Sequence, residues 1–310
     1  MNPQNQASLR VWAVTDNKPG HLNQLRGLMD GLAVSIPNDW HLQTHWVETP
    51  VNALAKLKTL RRKKQLIAKH GRPDIILCCG HRTHWQALFL RMCFGGKLVV
   101  LMRPSLPLRC FDLCILPYHD GSYDQPHVLQ SLGALNKITA NGPREPIESE
   151  EPQGLILVGG PSKHYLWSDE DALTQVTRLL KASPNIRWTL GTSRRTPESF
   201  EASLTTLQET QNFELVPASS TDAQWLPTQF QQSEQVWVSE DSVSMVYEAL
   251  SSGAQVGLLR LPVKQHNRVS EGIGYLLREQ RLGDLDSLEQ GSMPPSKPPL
   301  QEALRIAKHI

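Results

Sequence analysis

Three stretches in the second half of this 310-residue chain carry residue types suited to an anionic, hydroxyl-rich ligand. Gly159-Gly160-Pro161-Ser162-Lys163-His164 follows an apolar run. Two adjacent glycines let the backbone turn tightly and approach a ligand closely. Their N–H groups, with Lys163 nearby, would suit a diphosphate; a plain strand-to-helix turn is the alternative. The spacing is neither the GxxxxGK[ST] phosphate loop nor the GxGxxG dinucleotide fingerprint. Gly191-Thr192-Ser193-Arg194-Arg195-Thr196-Pro197 places two guanidinium forks among hydroxyls, a match for phosphate oxygens. It reads equally as a solvated charge pair ahead of a helix with Pro197 in its first turn.

Ser239-Glu240-Asp241-Ser242 then leads into a helical pattern in which Glu248 sits among Met245, Val246, Ala249 and Leu250. Asp241 or Ser242 suits the helix cap. A carboxylate on an apolar helix is costly unless it gains donors. Vicinal ribose hydroxyls are such donors, and a solvent-facing Glu is the alternative. Lys264-Gln265-His266-Asn267-Arg268 adds a polar cluster where a sugar could bind.

The elements that must position these residues alternate along the chain. Strands are predicted at Val11–Thr15, Leu42–Val47, Asp74–Cys79, Leu98–Met102 and Leu113–Leu116, with helices at Leu22–Leu32, Val51–Lys69 and His84–Met92. Residues 141–152, rich in Pro and acid, read as a linker. The alternation restarts with strands at Leu155–Val158, Arg187–Leu190, Phe213–Val216, Gln235–Val238 and Val256–Leu259. The helices between and after them are Asp169–Lys181, Pro197–Glu209, Ser242–Ser252 and Arg268–Glu279. Alternating strands and helices give parallel sheets, because a parallel pair needs a crossover. The expected fold is α/β, with two Rossmann-like domains facing across a cleft: residues 1–140, and residues 153–290 after the linker. A Pro-rich stretch and short helix, Leu300–Lys308, fill 291–310. Ligands of such sheets bind outside the strand carboxyl ends, where the three stretches lie.

Composition narrows the class. Hydrophobic residues make up 39% and charged residues 20%, which excludes a disordered chain, and no run approaches the roughly 18 apolar residues of a membrane-spanning helix. The five cysteines form no CxxC pair and read as reduced, mostly buried thiols. Residues 1–148 hold 18 Lys+Arg against 10 Asp+Glu, and residues 149–310 hold 14 against 20, so a basic half precedes an acidic one. The first ten residues lack a secretory signal's apolar core, which makes a cytoplasmic setting the expectation.

Thr15–Gln24, Gly159–Ser162, Thr192–Pro197 and Glu240–Ala249, in this order, resemble the signatures of the mitochondrial-fission ELM family, whose bacterial members are regarded as glycosyltransferases. The resemblance spans nearly the whole chain. It implies a GT-B architecture with a nucleotide-sugar held mainly by the second domain. More distantly, Gly20-His21, Ser242 to Glu248 and Gln265-His266-Asn267 are similar to stretches of the GT-B enzyme that adds N-acetylglucosamine to the peptidoglycan lipid precursor; the last is one residue shorter than its counterpart. On this resemblance Glu248 holds ribose. Gly159, Gly160, Ser162, Ser193, Arg194, Arg195 and Ser242 hold the diphosphate, and Gln265 and Asn267 the donor sugar.

Glycosyl transfer needs a group to take the acceptor hydroxyl proton, and Asp16 and His21 are the candidates. Asn17, Lys18, Asn23 and Gln24 would bind sugar or phosphate, and Gly80-His81-Arg82-Thr83-His84 would line the acceptor side. No cofactor is expected beyond the nucleotide-sugar substrate, and no metal. Asp169-Glu170-Asp171 reads as a helix start, and Asp284-Leu285-Asp286 lies beyond the last expected element. Arg82, Arg91, Lys97, Arg103 and Arg109, interleaved with Trp85, Phe89, Leu90, Met92 and Phe94, suit a lipid-linked acceptor and peripheral contact with an anionic membrane. A solvated helix face is the alternative, and no motif points to nucleic acid. Two rival functions share the architecture: a non-catalytic interaction protein and a nucleotide-sugar 2-epimerase.

Overall fold

The computed structural model describes residues 7–49, 61–121, 123–137, 151–209, 211 and 213–310. The chain divides into two compact units, one of residues 1–137 with 301–310, the other of residues 138–300.

In the first unit the described strands are β1 (Ser8–Thr15), β2 (His41–Glu48), β3 (Ile75–Cys79), β4 (Lys97–Leu101), β5 (Leu113–Pro117) and β6 (Val128–Ser131). They form a parallel sheet in the order β2-β1-β3-β4-β5-β6. Its helices are α1 (Pro19–Ser35), α2 (Lys63–His70) and α3 (His81–Phe94). Strand side chains alternate between faces, and both faces are covered. Val11, Ala13, Ile75, Leu77 and Val99 pack with Leu25, Leu28 and Leu32 of α1. Trp12, Val14, Ile76, Cys78 and Leu98 pack with Ala87, Leu90 and Phe94 of α3. Burial on both faces is why these strands read as continuous apolar runs.

All five cysteines are free; Cys78, Cys79 and Cys114 are buried, while Cys93 and Cys110 are half-buried. Burial pushes the Cys78 and Cys114 thiols up to about 12, so they are inert at neutral pH.

The second unit repeats the scheme. Its described elements are β7 (Gln153–Leu157), α4 (Asp169–Ala182), β8 (Arg187–Gly191), α5 (Glu198–Gln208), β9 (Phe213–Val216), α6 (Trp225–Gln232), β10 (Gln235–Ser239), α7 (Val243–Ser252), β11 (Gln255–Leu259), α8 (Arg268–Arg278), β12 (Gly283–Asp284) and α9 (Leu285–Glu289). The sheet order is β12-β11-β10-β7-β8-β9, again parallel. Trp188 and Trp237 are fully buried, with Gly154 and Gly257 leaving room for their rings.

Several details depart from the sequence expectation. Strand β6, helix α6, strand β12 and helix α9 are additional elements. Asp284 belongs to the edge strand β12 and caps α9 by accepting the Ser287 N–H at 3.0 Å, so it does not lie beyond the sheet. Residues 301–310 do not form a separate tail: the C-terminal helix Glu302–Ala307 packs on α1 in the first unit. Gly31 permits that approach, since a Cβ there would sit 2.6 Å from the Ala303 carbonyl oxygen. Glu302 fixes the helix by accepting the Leu132 N–H at 2.8 Å. Most of the expected linker, 141–150, and the first ten residues of the expected helix Val51–Lys69 lie outside the described residues.

Candidate functional site

In each unit the chain starts a sheet near its middle, adds one or more strands on one side, then crosses to the other. This makes a topological switch point between β1 and β3 and another between β7 and β10. Loops at the carboxyl ends of strands flanking such a point form a natural ligand crevice.

At the first unit's switch point, Asp16 follows β1 and His21 lies in the first turn of α1. The His21 Nδ1 is 2.8 Å from Asp16 Oδ1, with the two side chains 19% and 1% exposed. Asp16 Oδ1 also accepts the Lys18 N–H at 3.3 Å, while the buried Oδ2 lacks a hydrogen-bond partner and lies 3.6 Å from Lys18 Nζ. Burial is the largest influence on the Asp16 carboxyl and pushes it up. The hydrogen bonds from His21 and Lys18, with their charges, outweigh it and leave the group below its ordinary value. A carboxylate on Nδ1 fixes the ring and leaves Nε2 as the second functional nitrogen.

Gly80, which follows β3, is shaped to this pair. Its φ is +89°, and a Cβ would lie 2.4 Å from His21 Cε1. His81 and Arg82 are exposed on the first turn of α3. His84 is not: it is buried against Ser105, its Nδ1 3.2 Å from the hydroxyl, and burial lowers its pKa to about 4. Gln24 is likewise buried, donating to Met102 Sδ at 3.1 Å, and Asn17 donates to Glu48 at 3.1 Å. The buried His84 and Gln24 are part of the core packing, and Asn17 is exposed.

The second unit brings Gly159, Gly160, Ser193, Arg195 and Ser242 into one network, but its hub is a residue read from sequence only as a helix cap. The Asp241 side chain is 0% exposed. Its Oδ2 accepts the Gly160 N–H at 3.1 Å and Arg195 Nη2 at 2.8 Å, and its Oδ1 accepts the Ser239 hydroxyl at 2.7 Å. Gly159 donates its N–H to Ser239 Oγ at 2.7 Å, so both glycine N–H groups expected to meet a diphosphate are engaged internally. Arg195 further donates to Ser242 Oγ and to the carbonyls of Gly160 and Pro161, each at 3.0 Å. Ser193 and Thr196 both donate to the Gly159 carbonyl. A Cβ on Gly159 would lie 2.1 Å from Asp241 Oδ2. The glycine pair is thus shaped by a carboxylate of the chain itself, and the absent Cβ is the signal for Asp241 that sequence reading missed.

Arg194 is exposed and unengaged among the described residues. Ser242 gives α7 no side-chain cap, and the first turn of that ten-residue helix carries no acid. Its leading N–H groups therefore lack intrahelical partners. Glu248 is half-buried and lies four residues after the exposed Ser244, on the same helix face.

A second cluster joins the loops after β7 and β11. Lys264 donates Nζ to the Ser162 carbonyl and its N–H to the His164 carbonyl, both at 2.8 Å. Tyr165 bridges to Val263. Asn267, expected on a sugar, caps α8 with Oδ1 and sets Nδ2 3.1 Å from His164 Nδ1. Ser162 Oγ accepts the Tyr165 N–H, and Gln265 is exposed. Among the described residues no group of three or more His, Cys, Asp or Glu is placed to hold a metal ion. Asp169 accepts from Trp167 and Ser199. A hollow of about 270 Å³, lined by Leu9, Leu32, Trp40 and Ile75, lies at the amino ends of β1 and β3, away from these loops.

The model of a family described as mitochondrial fission ELM1 matches residues 19–310. The uncharacterized protein RP120 of Rickettsia prowazekii is 25% identical, the match covering 79% of this chain and 81% of that one. Among solved structures, one described as a UDP-N-acetylglucosamine 2-epimerase from Listeria monocytogenes matches with a TM-score of 0.62 at 13% identity, over 98% of this chain and 94% of that one. S. aureus MnaA, solved with UDP, matches with 0.55 at 11% identity over 98% and 94%. Acinetobacter baumannii MurG gives 0.54 at 11% over 97% and 95%. These likenesses establish the fold: two Rossmann-like units of GT-B type.

Proposed function

The chain belongs to the mitochondrial fission ELM1 family, and from that premise and the geometry above we propose that it is a glycosyltransferase moving a sugar from a nucleotide-sugar to an acceptor. The observation that carries the reading is on α7: an uncapped first turn, and Glu248 one turn further along on the same face as Ser244. An uncapped helix N-terminus attracts phosphate, and a carboxylate one turn beyond it suits ribose hydroxyls. The diphosphate therefore goes to the first turn of α7 and Arg194, with Gly160, Ser162, Ser193 and Ser242 shaping the surrounding loops. Gln265 faces the donor sugar.

In the transfer, the bond from the anomeric carbon to the diphosphate oxygen breaks and a bond to the acceptor oxygen forms. The acceptor proton passes to His21 Nε2, held in position by Asp16, and the nucleoside diphosphate leaves with the bonding electrons. The helix end and Arg194 take up the developing charge, a role that needs no metal ion in this reading.

The acceptor is a sugar or a lipid-linked sugar. Residues 75–111 contain five Lys+Arg and no Asp or Glu. Trp85 and Met92, seven residues apart on one face of α3, are 64% and 86% exposed. Of the residues expected to meet a membrane, Arg91 is paired with Asp112 at 2.7 Å and Leu90 and Phe94 are buried in the core, while Arg82 is exposed on the same helix as Trp85 and Met92. Exposed apolar side chains with a basic neighbour suit the surface of an anionic membrane, and no described helix is long and apolar enough to cross one. Replacing Trp85 and Met92 by Ser should abolish co-sedimentation with anionic vesicles; unchanged sedimentation removes the membrane contact from this reading.

The test of the donor site is a thermal shift with uridine, guanosine, cytidine and adenosine diphosphates. One of them at a hundredfold excess over its dissociation constant should stabilise the protein by about 2.7 kcal/mol. No shift with any of the four refutes the proposal. Incubating the responding nucleotide-sugar without acceptor and looking for an epimer separates transfer from epimerisation.

A further inference from the structure

The Gly160 N–H, the Ser239 hydroxyl and Arg195 Nη2 converge on one point, and what they hold there is the Asp241 carboxylate. Three donors around a buried oxyanion are the arrangement by which proteins bind external phosphate. The other acceptors on Arg195, two carbonyls and the Ser242 hydroxyl, are neutral, so among the described residues Asp241 is the anion that balances its charge. The Gly159 position, with no room for a Cβ beside Asp241 Oδ2, shows that the turn is built around this occupant. The Arg195 side chain is 43% exposed, and four of its five N–H donors are engaged within the chain.

We propose that this cradle is an anion site whose resident is the chain's own Asp241, and that Asp241 competes with a ligand phosphate for Arg195. Bound phosphate at the first turn of α7 would adjoin Ser242, which Arg195 already touches. While Asp241 holds the guanidinium, Arg195 contributes little to binding, and the adjacent negative charge repels the ligand. Asp241 thereby limits affinity in proportion to ligand charge. The nucleotide part of this inference rests on the reading above; the inorganic part does not.

The experiment compares wild type with Asp241→Asn by calorimetry, using inorganic pyrophosphate, UDP and uridine as probes. The substitution keeps an acceptor oxygen and removes the charge. Pyrophosphate and UDP should bind about tenfold tighter or more, with a steeper dependence on salt, while uridine is unchanged. Adding Arg195→Met should erase the gain. A folded Asp241→Asn protein that binds pyrophosphate no more tightly than wild type overturns the proposal, as does a gain that survives loss of Arg195. Should Asp241→Asn fail to fold, Ser239→Ala loosens the carboxylate without removing it; about threefold tighter pyrophosphate binding is expected, and no change overturns the proposal. UDP binding by wild type without a gain in the variant sinks only this inference. A pyrophosphate gain without UDP binding in either protein sinks only the nucleotide reading.

Discussion

Substituting Gly159 by Ala adds one methyl group at the most crowded point of the second unit's network. Its Cβ would lie 2.1 Å from Asp241 Oδ2, 2.5 Å from Ser242 Oγ and 2.6 Å from Asp241 Oδ1. No real contact of that kind is tolerated, so the Asp241 carboxylate must move. Moving it lengthens its bonds from the Gly160 N–H, the Ser239 hydroxyl and Arg195. Overpacking alone costs about 1–3 kcal/mol. A buried carboxylate that loses donors adds to this, but the Arg195 share is discounted because that side chain is 43% exposed and screened by solvent. The sum is about 3 kcal/mol. For a unit of this size that is roughly 6–12 °C in melting temperature.

The assay is calorimetric melting, with Gly20→Ala as the control. Nothing lies within 4 Å of a Cβ on Gly20, which sits in the first turn of α1, so Ala there should be neutral or stabilising by up to about 1 kcal/mol. If Gly159→Ala melts within about 1 °C of wild type, the glycine turn is not built around Asp241 and the reasoning fails.

Replacing Glu248 by Gln should weaken nucleoside diphosphate binding by about tenfold or more, the scale of a lost charged hydrogen bond. Unchanged affinity would favour a scaffold without a ribose site. His21→Asn should lower kcat by about 10²–10⁴ and spare donor affinity; a kcat within threefold of wild type removes His21 as base. Because the Asp16 carboxyl titrates below its ordinary value, its stabilising contribution is complete above about pH 4 and is lost as pH falls further. Asp16→Asn should therefore flatten the acid limb of the stability curve, and an identical limb contradicts the assignment. His84 works over a higher range. Its pKa falls from 6.5 to about 4 on burial, so below pH 6.5 the unfolded chain takes up a proton that the native chain refuses. Wild type should lose about 2 kcal/mol between pH 7 and pH 5 at this site, and His84→Gln should lose correspondingly less; equal losses would place the effect elsewhere.

The strands were legible because burial on both faces leaves few polar residues in them: Ile75–Cys79 and Gln235–Ser239 announce themselves by composition. Strand β6, whose Val128, Leu129 and Gln130 are only half-buried, offers no such run. Helix α6 contains Pro227 and buries only Phe230, so its periodicity is faint. The Asp16–His21 pair could be read from six consecutive residues because a turn and a helix start bring them together. Asp241 could not: its partner Arg195 is 46 residues away, and local sequence makes an Asp before a helix look like a cap. Asn267 directly precedes an expected helix, and the structure shows its side chain capping α8, whereas the resemblance drew attention to a sugar ligand.

The return of the C-terminal helix to the first unit has a further effect on how the molecule is made. Ile306 and Ala307 complete the apolar layer against α1, and Glu302 satisfies an N–H that otherwise stays open. The second unit is in effect an insertion within the first. A nascent chain can finish the inserted body while the earlier one, translated first, still waits for residues 301–310. Shortening the polypeptide by that segment, or burying it under a fusion partner, would injure the half of the protein farthest away in sequence.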